Sequence, residues 1–297
     1  MLMIKMNDCL ILIDKPLNFT SNHVLQSIKK RFNLKKAGLI GVLDPLATGM
    51  LLIVTGEATK FSQYIENMTK EYIVTIRLGY KSSTGDGEGI IIKDNTDVSN
   101  ITRDNIIKTL SSFLGQSYQL PPMHSSVKYN GKKLYQYARE GIKVERKKRK
   151  IEISDITLLK NHTEDIDIRV RCSKGTYIRT LVEDIGTRLG VNTYTRSIRR
   201  IGVATYTEDR MISCNQILNG ELSSDKHIVD ISEMLSHIKP ITLGPEHEKL
   251  IKNGTVIDID LPNTKGDVVM RNIDHKIIGI GSVVNNRIKP KRLINFQ

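Results

Sequence analysis

A chain of 297 residues, 39% hydrophobic and carrying a formal net charge of +13, is long enough for one large domain, or a large one with a small one, around a real core. Its pI near 9.5 points to a polyanionic partner, nucleic acid before an anionic membrane surface. The three scattered cysteines (Cys9, Cys172, Cys214) fit no disulfide framework or zinc spacing, the histidines form no ligand cluster, and no apolar run approaches the ~20 residues of a membrane span. The apolar run at 10–13 ends at Asp14 and is too short for a signal peptide. The expectation is a cytoplasmic protein with no metal.

In chain order, residues 11–16 predict a strand ending in a turn. Thr20 or Ser21 caps a helix to about residue 32, with Val24, Ile28 and Phe32 on one face. Lys29, Lys30, Arg31, Lys35 and Lys36 then lead to the run Gly41-Val42-Leu43-Asp44-Pro45-Leu46-Ala47-Thr48-Gly49. Pro45 pushes Asp44 out of the helical region, the flanking glycines permit sharp bends, and the apolar residues 50–54 read as a buried strand. A carboxylate is thereby mounted on a loop anchored to the core. An Asp before Pro is more often only a turn former, so this run alone does not establish chemistry.

A short helix is expected from Gly56 through Ile65, with Lys60 on its first turns. Residues 72–78 alternate cleanly, with Tyr72, Val74, Ile76 and Leu78 on one face of a strand. The Gly85-Asp86-Gly87-Glu88-Gly89 stretch lacks the Lys-Ser/Thr ending of a phosphate loop and reads as a flexible turn. Thr102 caps a helix through residue 114, and Gly115 stops it. Residues 128–150 carry ten Lys or Arg against Glu140 and Glu145, a net of +8 out of the chain's +13. Tyr129, Tyr135 and Tyr137 lie among them, and cations for phosphates beside rings for bases suit RNA.

A strand at 166–172 and a turn at 173–176 lead to a helix from 177 to about 189, ended by Gly190. Arg179 falls off its apolar stripe and can reach a carboxylate in a neighbouring loop. Arg188, Arg196, Arg199 and Arg200 read as a second basic cluster. From about residue 240, a helix at 246–253 and regular short strands suggest a small β-barrel with a basic tail at 287–292. No dinucleotide fingerprint, P-loop or nucleophile elbow is present. A cofactor-independent reaction on RNA remains, using a carboxylate, an arginine, a lysine and tyrosines. An arginine beside Asp44 would hold it ionised by lowering its pKa, as a nucleophile or base.

The run from Gly41 to Gly49 resembles the catalytic motif of the TruB family of tRNA pseudouridine-55 synthases. Further matches follow in order: Asp14-Lys15-Pro16 with Thr20-Ser21, Gly56-Glu57-Ala58-Thr59-Lys60, Lys70-Glu71-Tyr72, Gln119-Leu120-Pro121-Pro122-Met123, Gly175-Thr176-Tyr177-Ile178-Arg179, Arg199-Arg200 and Lys289-Pro290-Lys291-Arg292. The resemblance implies an α+β catalytic domain at 1–239, built on a mixed, largely antiparallel sheet flanked by helices, with an RNA-gripping insertion at about 124–150. A reduced PUA-like β-barrel would occupy 240–297. It implies that Asp44 attacks a flipped-out uridine, that Tyr72 stacks on the base and moves a proton, and that Arg179 pairs with Asp44. Tyr177, Ile198 and Lys60 would line the pocket. The partner would be the T-arm of tRNA, with no cofactor, no membrane and no obligate protein partner, the protein acting as a monomer. The sequence departs from the family at Leu39-Ile40, where His-Thr is usual, at His124, where Tyr is common, and at Asn18, where Gly is common. A non-catalytic tRNA-folding chaperone and a guide-RNA-dependent synthase subunit are the rival readings.

Overall fold

The computed structural model describes residues 6–94, 96–221, 225–259 and 264–295. An eleven-stranded mixed sheet dominates, and its central path determines where the site lies. The strands run in the order Ile212–Ser213, Cys9–Lys15, Ala47–Thr55, Thr193–Val203, Lys70–Leu78, Asp165–Cys172, Arg149–Asn161, Gly115–Gln119. Along that path, Ile212–Ser213 with Cys9–Lys15 and Ala47–Thr55 with Thr193–Val203 are the parallel pairs. The remaining neighbours are antiparallel.

Cys9–Lys15 shows why its sequence is a continuous apolar run rather than an alternation. Leu10 and Leu12 enter one core cluster while Ile11 and Ile13 enter another, so both faces are buried. Helix Ser21–Arg31, capped by Thr20, covers one face with Val24, Leu25 and Ile28. Helix Ile178–Leu189 packs Ile178, Leu181, Val182 and Ile185 on Val74, Ile76 and Val170, and Gly190 ends it in the left-handed conformation.

Two long strands were not anticipated. Arg149–Asn161 begins inside what reads as the basic insertion, and register shifts between Ile153 and Asp155 and between Leu158 and Lys160 break its alternation. Thr193–Val203 is the central strand, with register shifts near Ser197 and Gly202. Of the expected arginine cluster, Arg188 lies on helix Ile178–Leu189 and the other three are dispersed along this strand. Arg196 pairs with Asp165, Arg199 with Asp14, and Arg200 is buried, because successive residues of a strand face opposite sides.

A five-stranded second sheet begins at Pro240–Thr242 and runs in the order Pro240–Thr242, Gly266–Arg271, Ile277–Val284, Arg287–Leu293, Ile257–Asp258. It is not separate in its packing. Val269 and Ile280 share a core cluster with Leu10, Leu52 and Phe61 of the first sheet. The Tyr64 hydroxyl donates to Asp267 at 2.9 Å across the same seam.

Candidate active site

The Asp44 loop is held from below by four groups. The Ser21 hydroxyl donates to the Leu43 carbonyl at 2.8 Å and accepts from the Leu43 N–H at 2.9 Å. The buried Lys15 ammonium donates to the carbonyls of Pro16, Phe19 and Pro45 at 2.8, 2.7 and 3.1 Å. Arg200 donates from Nε to the Met50 carbonyl at 2.6 Å and from Nη2 to the Gly41 carbonyl at 2.9 Å. The Asn18 N–H donates to Pro45 at 3.0 Å, and Asn18 has φ of 64°, a left-handed conformation that Asn tolerates after Gly. The departure from Gly at position 18 therefore preserves the backbone. Gly49 is required by contact: a Cβ there would lie 2.3 Å from the Arg200 carbonyl oxygen.

Above this platform one guanidinium gathers three segments. Arg179 lies at the start of helix Ile178–Leu189 and is only 6% exposed. Its Nε lies 3.1 Å from the Asp44 carboxylate and its Nη1 3.2 Å from Asp86. Nη1 also donates to the Thr84 carbonyl at 3.1 Å, and Nη2 to the His124 carbonyl at 2.7 Å. His124 contributes its main-chain oxygen here, which any residue would supply. Gln119 anchors the helix start, donating to the Tyr177 carbonyl at 3.0 Å and accepting from the Tyr177 N–H at 2.7 Å.

Asp86 was overlooked in the sequence. The glycine-rich stretch is not a loose turn: Asp86 is buried and accepts from the Thr84 hydroxyl at 2.7 Å and the Glu88 N–H at 3.1 Å. The Thr195 N–H donates to the Gly85 carbonyl at 3.0 Å, which stitches this turn to the central strand. The only clue in the sequence was an Asp among glycines, and that pattern ordinarily marks a turn.

The electrostatics overturn one expectation. Arg179 does favour the ionised form of Asp44, yet the Asp44 pKa is raised, because desolvation outweighs it and Asp86 adds like-charge repulsion. About half of the Asp44 side chain remains open to solvent, so the carboxylate can be reached from outside. The result is a more basic carboxylate, already oriented by its arginine.

Tyr72 and Ile198 flank this group through the central strand. Tyr72 is the cross-strand partner of Arg200, and Ile198 pairs with both Val74 and Ala47. Burial pushes the Tyr72 phenol up, while Arg200, by charge and hydrogen bond, pulls it back. Asp44 is near enough to add a smaller upward push. Asp44, Tyr72, Arg179 and Ile198 thus converge on one region, and Tyr177 sits half-buried next to Arg179.

Lys60 is placed elsewhere, which corrects its assignment to the pocket. Its ammonium donates to Glu57 at 2.6 Å and to the Leu293 carbonyl at 2.8 Å, while Glu57 accepts from the Asn295 N–H. The lysine fastens the end of the second sheet to the first. Lys60→Met is expected to cost about 1 kcal/mol, read as a Tm drop of roughly 2–4 °C, while the single-turnover rate stays within about twofold of wild type. A selective loss of rate would return Lys60 to the pocket.

Leu39 is half-buried against the core cluster of Ile11 and Ile53. Among the described residues no group of three His, Cys, Asp or Glu side chains could hold a metal ion, and no helix is long and apolar enough to cross a membrane.

Residues 29–178 match the family model described as TruB family pseudouridylate synthase, N-terminal domain, and residues 179–243 match the tRNA pseudouridylate synthase B C-terminal domain. The chain is 41% identical over 293 residues to a tRNA pseudouridine synthase B of Coxiella burnetii, covering 97% of this chain and 94% of that one. It is 38% identical over 300 residues to the protein of the same name from Vibrio atlanticus, again covering 97% and 94%. Among solved structures, a Cbf5-Nop10-Gar1 complex contains a chain that superposes with a TM-score of 0.74 at 22% identity, covering 97% of this chain and 85% of that one. An archaeal box H/ACA sRNP Nop10-Cbf5 complex gives 0.72 at 20% identity, covering 97% and 86%. The structural likeness concerns the fold.

Proposed function

The chain belongs to the TruB family of pseudouridylate synthases, and from that premise we propose that it isomerises uridine 55 in the T-arm of tRNA to pseudouridine without a cofactor. The observation that carries the assignment of the chemistry is the Arg179 guanidinium 3.1 Å from the half-exposed carboxylate of Asp44.

Asp44 attacks the flipped-out uridine, at C1′ of the ribose or C6 of the base. Arg179 orients the attacking carboxylate, and Asp86 fixes Arg179. The uracil detaches from C1′ at N1, turns, and rejoins through C5, and the bond that Asp44 had made to C1′ or C6 breaks to return the carboxylate; C5 then loses a proton and N1 gains one. Tyr72 stacks on the extruded base, whose flipping costs about a few kcal/mol. Tyr177 and Ile198 complete the pocket wall. The test is incubation with an unmodified tRNA transcript followed by mapping of pseudouridine. Product at position 55 without added guide RNA or protein is the expected outcome. Full binding with no product would favour a folding chaperone, the reading that Leu39 keeps open.

In this reading residues 1–239 are the catalytic domain and 240–297 a reduced PUA-like RNA-binding domain, the whole working as a cytoplasmic monomer. The five-stranded sheet, with Arg287, Lys289, Lys291 and Arg292 on its last long strand, supports the second part. The insertion grips the T-arm. Its hairpin and short helix Leu134–Arg139 present Tyr129 packed edge-on against Tyr137, with Lys132 over the Tyr137 ring. Lys143, Lys147 and Lys148 are exposed beyond it, followed by the exposed strand-edge residues Arg149 and Lys150. Neutralising Lys147, Lys148, Arg149 and Lys150 should flatten the log–log salt dependence of tRNA binding by up to ~0.7–0.9 per lost phosphate contact. An unaltered slope would remove this run from the RNA interface.

A further inference from the structure

Of the four phenylalanines among the described residues, Phe32, Phe61 and Phe113 pack into or against core clusters, and Phe19 joins none of them. Phe19 is instead 41% exposed. A single exposed apolar side chain is ordinary on a protein surface, so exposure alone gives the ring no role. Its mounting is what sets it apart. The Lys15 ammonium donates both to the Phe19 carbonyl at 2.7 Å and to the Pro45 carbonyl at 3.1 Å. The Asn18 N–H donates to Pro45 at 3.0 Å, and the Ser21 hydroxyl bonds to Leu43 in both directions. Residues 18, 19 and 21 are thereby joined to residues 43 and 45, on either side of Asp44. The Phe19 backbone is drawn inward while its ring stays outside.

The ring is also braced. His23 packs edge-on against it, with ring centroids 5.2 Å apart and planes at 61°, an arrangement aromatic pairs favour. His23 is itself held in the first turn of helix Ser21–Arg31, where its N–H donates to the Thr20 hydroxyl at 3.1 Å. Leu17 and Val42, exposed on the same two loops, extend the apolar rim beside Asp44. The helix contains no acidic residue and ends in Lys29, Lys30 and Arg31, so its charge suits a phosphate-bearing neighbour.

We propose that Phe19, braced by His23, is a stacking platform for an RNA base that flanks the extruded uridine. This rests on the pseudouridine-forming reading above. Taking a uridine out of a stack leaves its former neighbours without a partner. An aromatic face restores stacking to whichever base is there, because every base has a π-face. A ring fixed beforehand loses little freedom when the base arrives. Phenylalanine offers no hydrogen bond, so the platform reads the position of the base and not its identity.

The test measures binding of the full chain to three tRNA transcripts: one intact, one lacking the base on the 5′ side of the target uridine, and one lacking the base on its 3′ side. Phe19→Ala should weaken binding to the intact transcript by about 5- to 100-fold. On one of the two transcripts with a missing base the loss should shrink to less than about twofold, because the partner of the ring is already gone. Phe19→Tyr should bind the intact transcript within about twofold of wild type, and Phe19→Leu, apolar but without a π-face, should bind like Phe19→Ala. The log–log salt slope should stay unchanged, since no phosphate contact is lost. An equal loss on all three transcripts, or no loss on any, overturns the platform. Should Phe19→Ala fail to fold, Phe19→Leu and Phe19→Tyr are compared on the same transcripts, and equal binding by the two overturns it. A wild-type chain that binds tRNA and makes no pseudouridine would overturn the functional reading instead; product mapping reads that failure and binding reads the other.

Discussion

Asp44→Asn is expected to abolish pseudouridine formation, by on the order of 10⁴-fold or more, while tRNA affinity stays within a few-fold and the folded protein becomes no less stable. The first two effects follow from the proposed role of Asp44, a nucleophile that contributes little binding surface. The third follows from linkage. The folded-state pKa of Asp44 is raised, chiefly by desolvation. A raised carboxylate contributes stability below its unfolded pKa and loses it as pH rises through the folded value. At neutral pH the ionised Asp44 therefore burdens the fold, and asparagine, which resembles the protonated form, relieves it. A Tm equal to or above wild type checks this at pH 7, and a marked drop would contradict it. In the wild-type enzyme the same shift places the acid limb of kcat/KM above the ordinary aspartate range. Asp86→Asn removes one of the groups that raise Asp44, so it should move that limb to lower pH.

Arg179→Gln should damage both folding and chemistry. The guanidinium is buried between Asp44 and Asp86 and also satisfies the Thr84 and His124 carbonyls. Removing it leaves Asp86 as a buried charge without its cation, at a cost of about 3–5 kcal/mol, and leaves Asp44 unoriented. Thermal unfolding and single-turnover rates read the two losses separately. Adding Asp86→Asn to Arg179→Gln should restore much of the stability and little of the rate. A double variant no more stable than Arg179→Gln alone would mean that the Asp86 charge is not what Arg179 compensates.

How much was legible can be judged from particular residues. Thr20 as a helix cap, Tyr177 at the start of its helix and Gly190 at its end all follow local rules, and all stand where those rules place them. Tyr72 to Leu78 follows period two because one face packs on Ile106 and Val170 while the other does not. The strand Thr193–Val203 escaped because bulges interrupt its period and charge dominates its composition. Its arginines read as an RNA-facing cluster, yet each is committed to a different partner inside the protein.

By itself the sequence determined the Asp44 loop, the family, the helices with their caps and the cationic, tyrosine-bearing insertion, because each depends on residues close together along the chain. The tertiary structure alone decided that Asp86 is buried beside Arg179, that Lys15 and Arg200 hold the loop from beneath, and that Lys60 bonds to the end of the second sheet. The physical reason is that a charged side chain takes its role from what surrounds it once water is excluded, and those surroundings come from segments far apart in sequence that only the sheet order brings together.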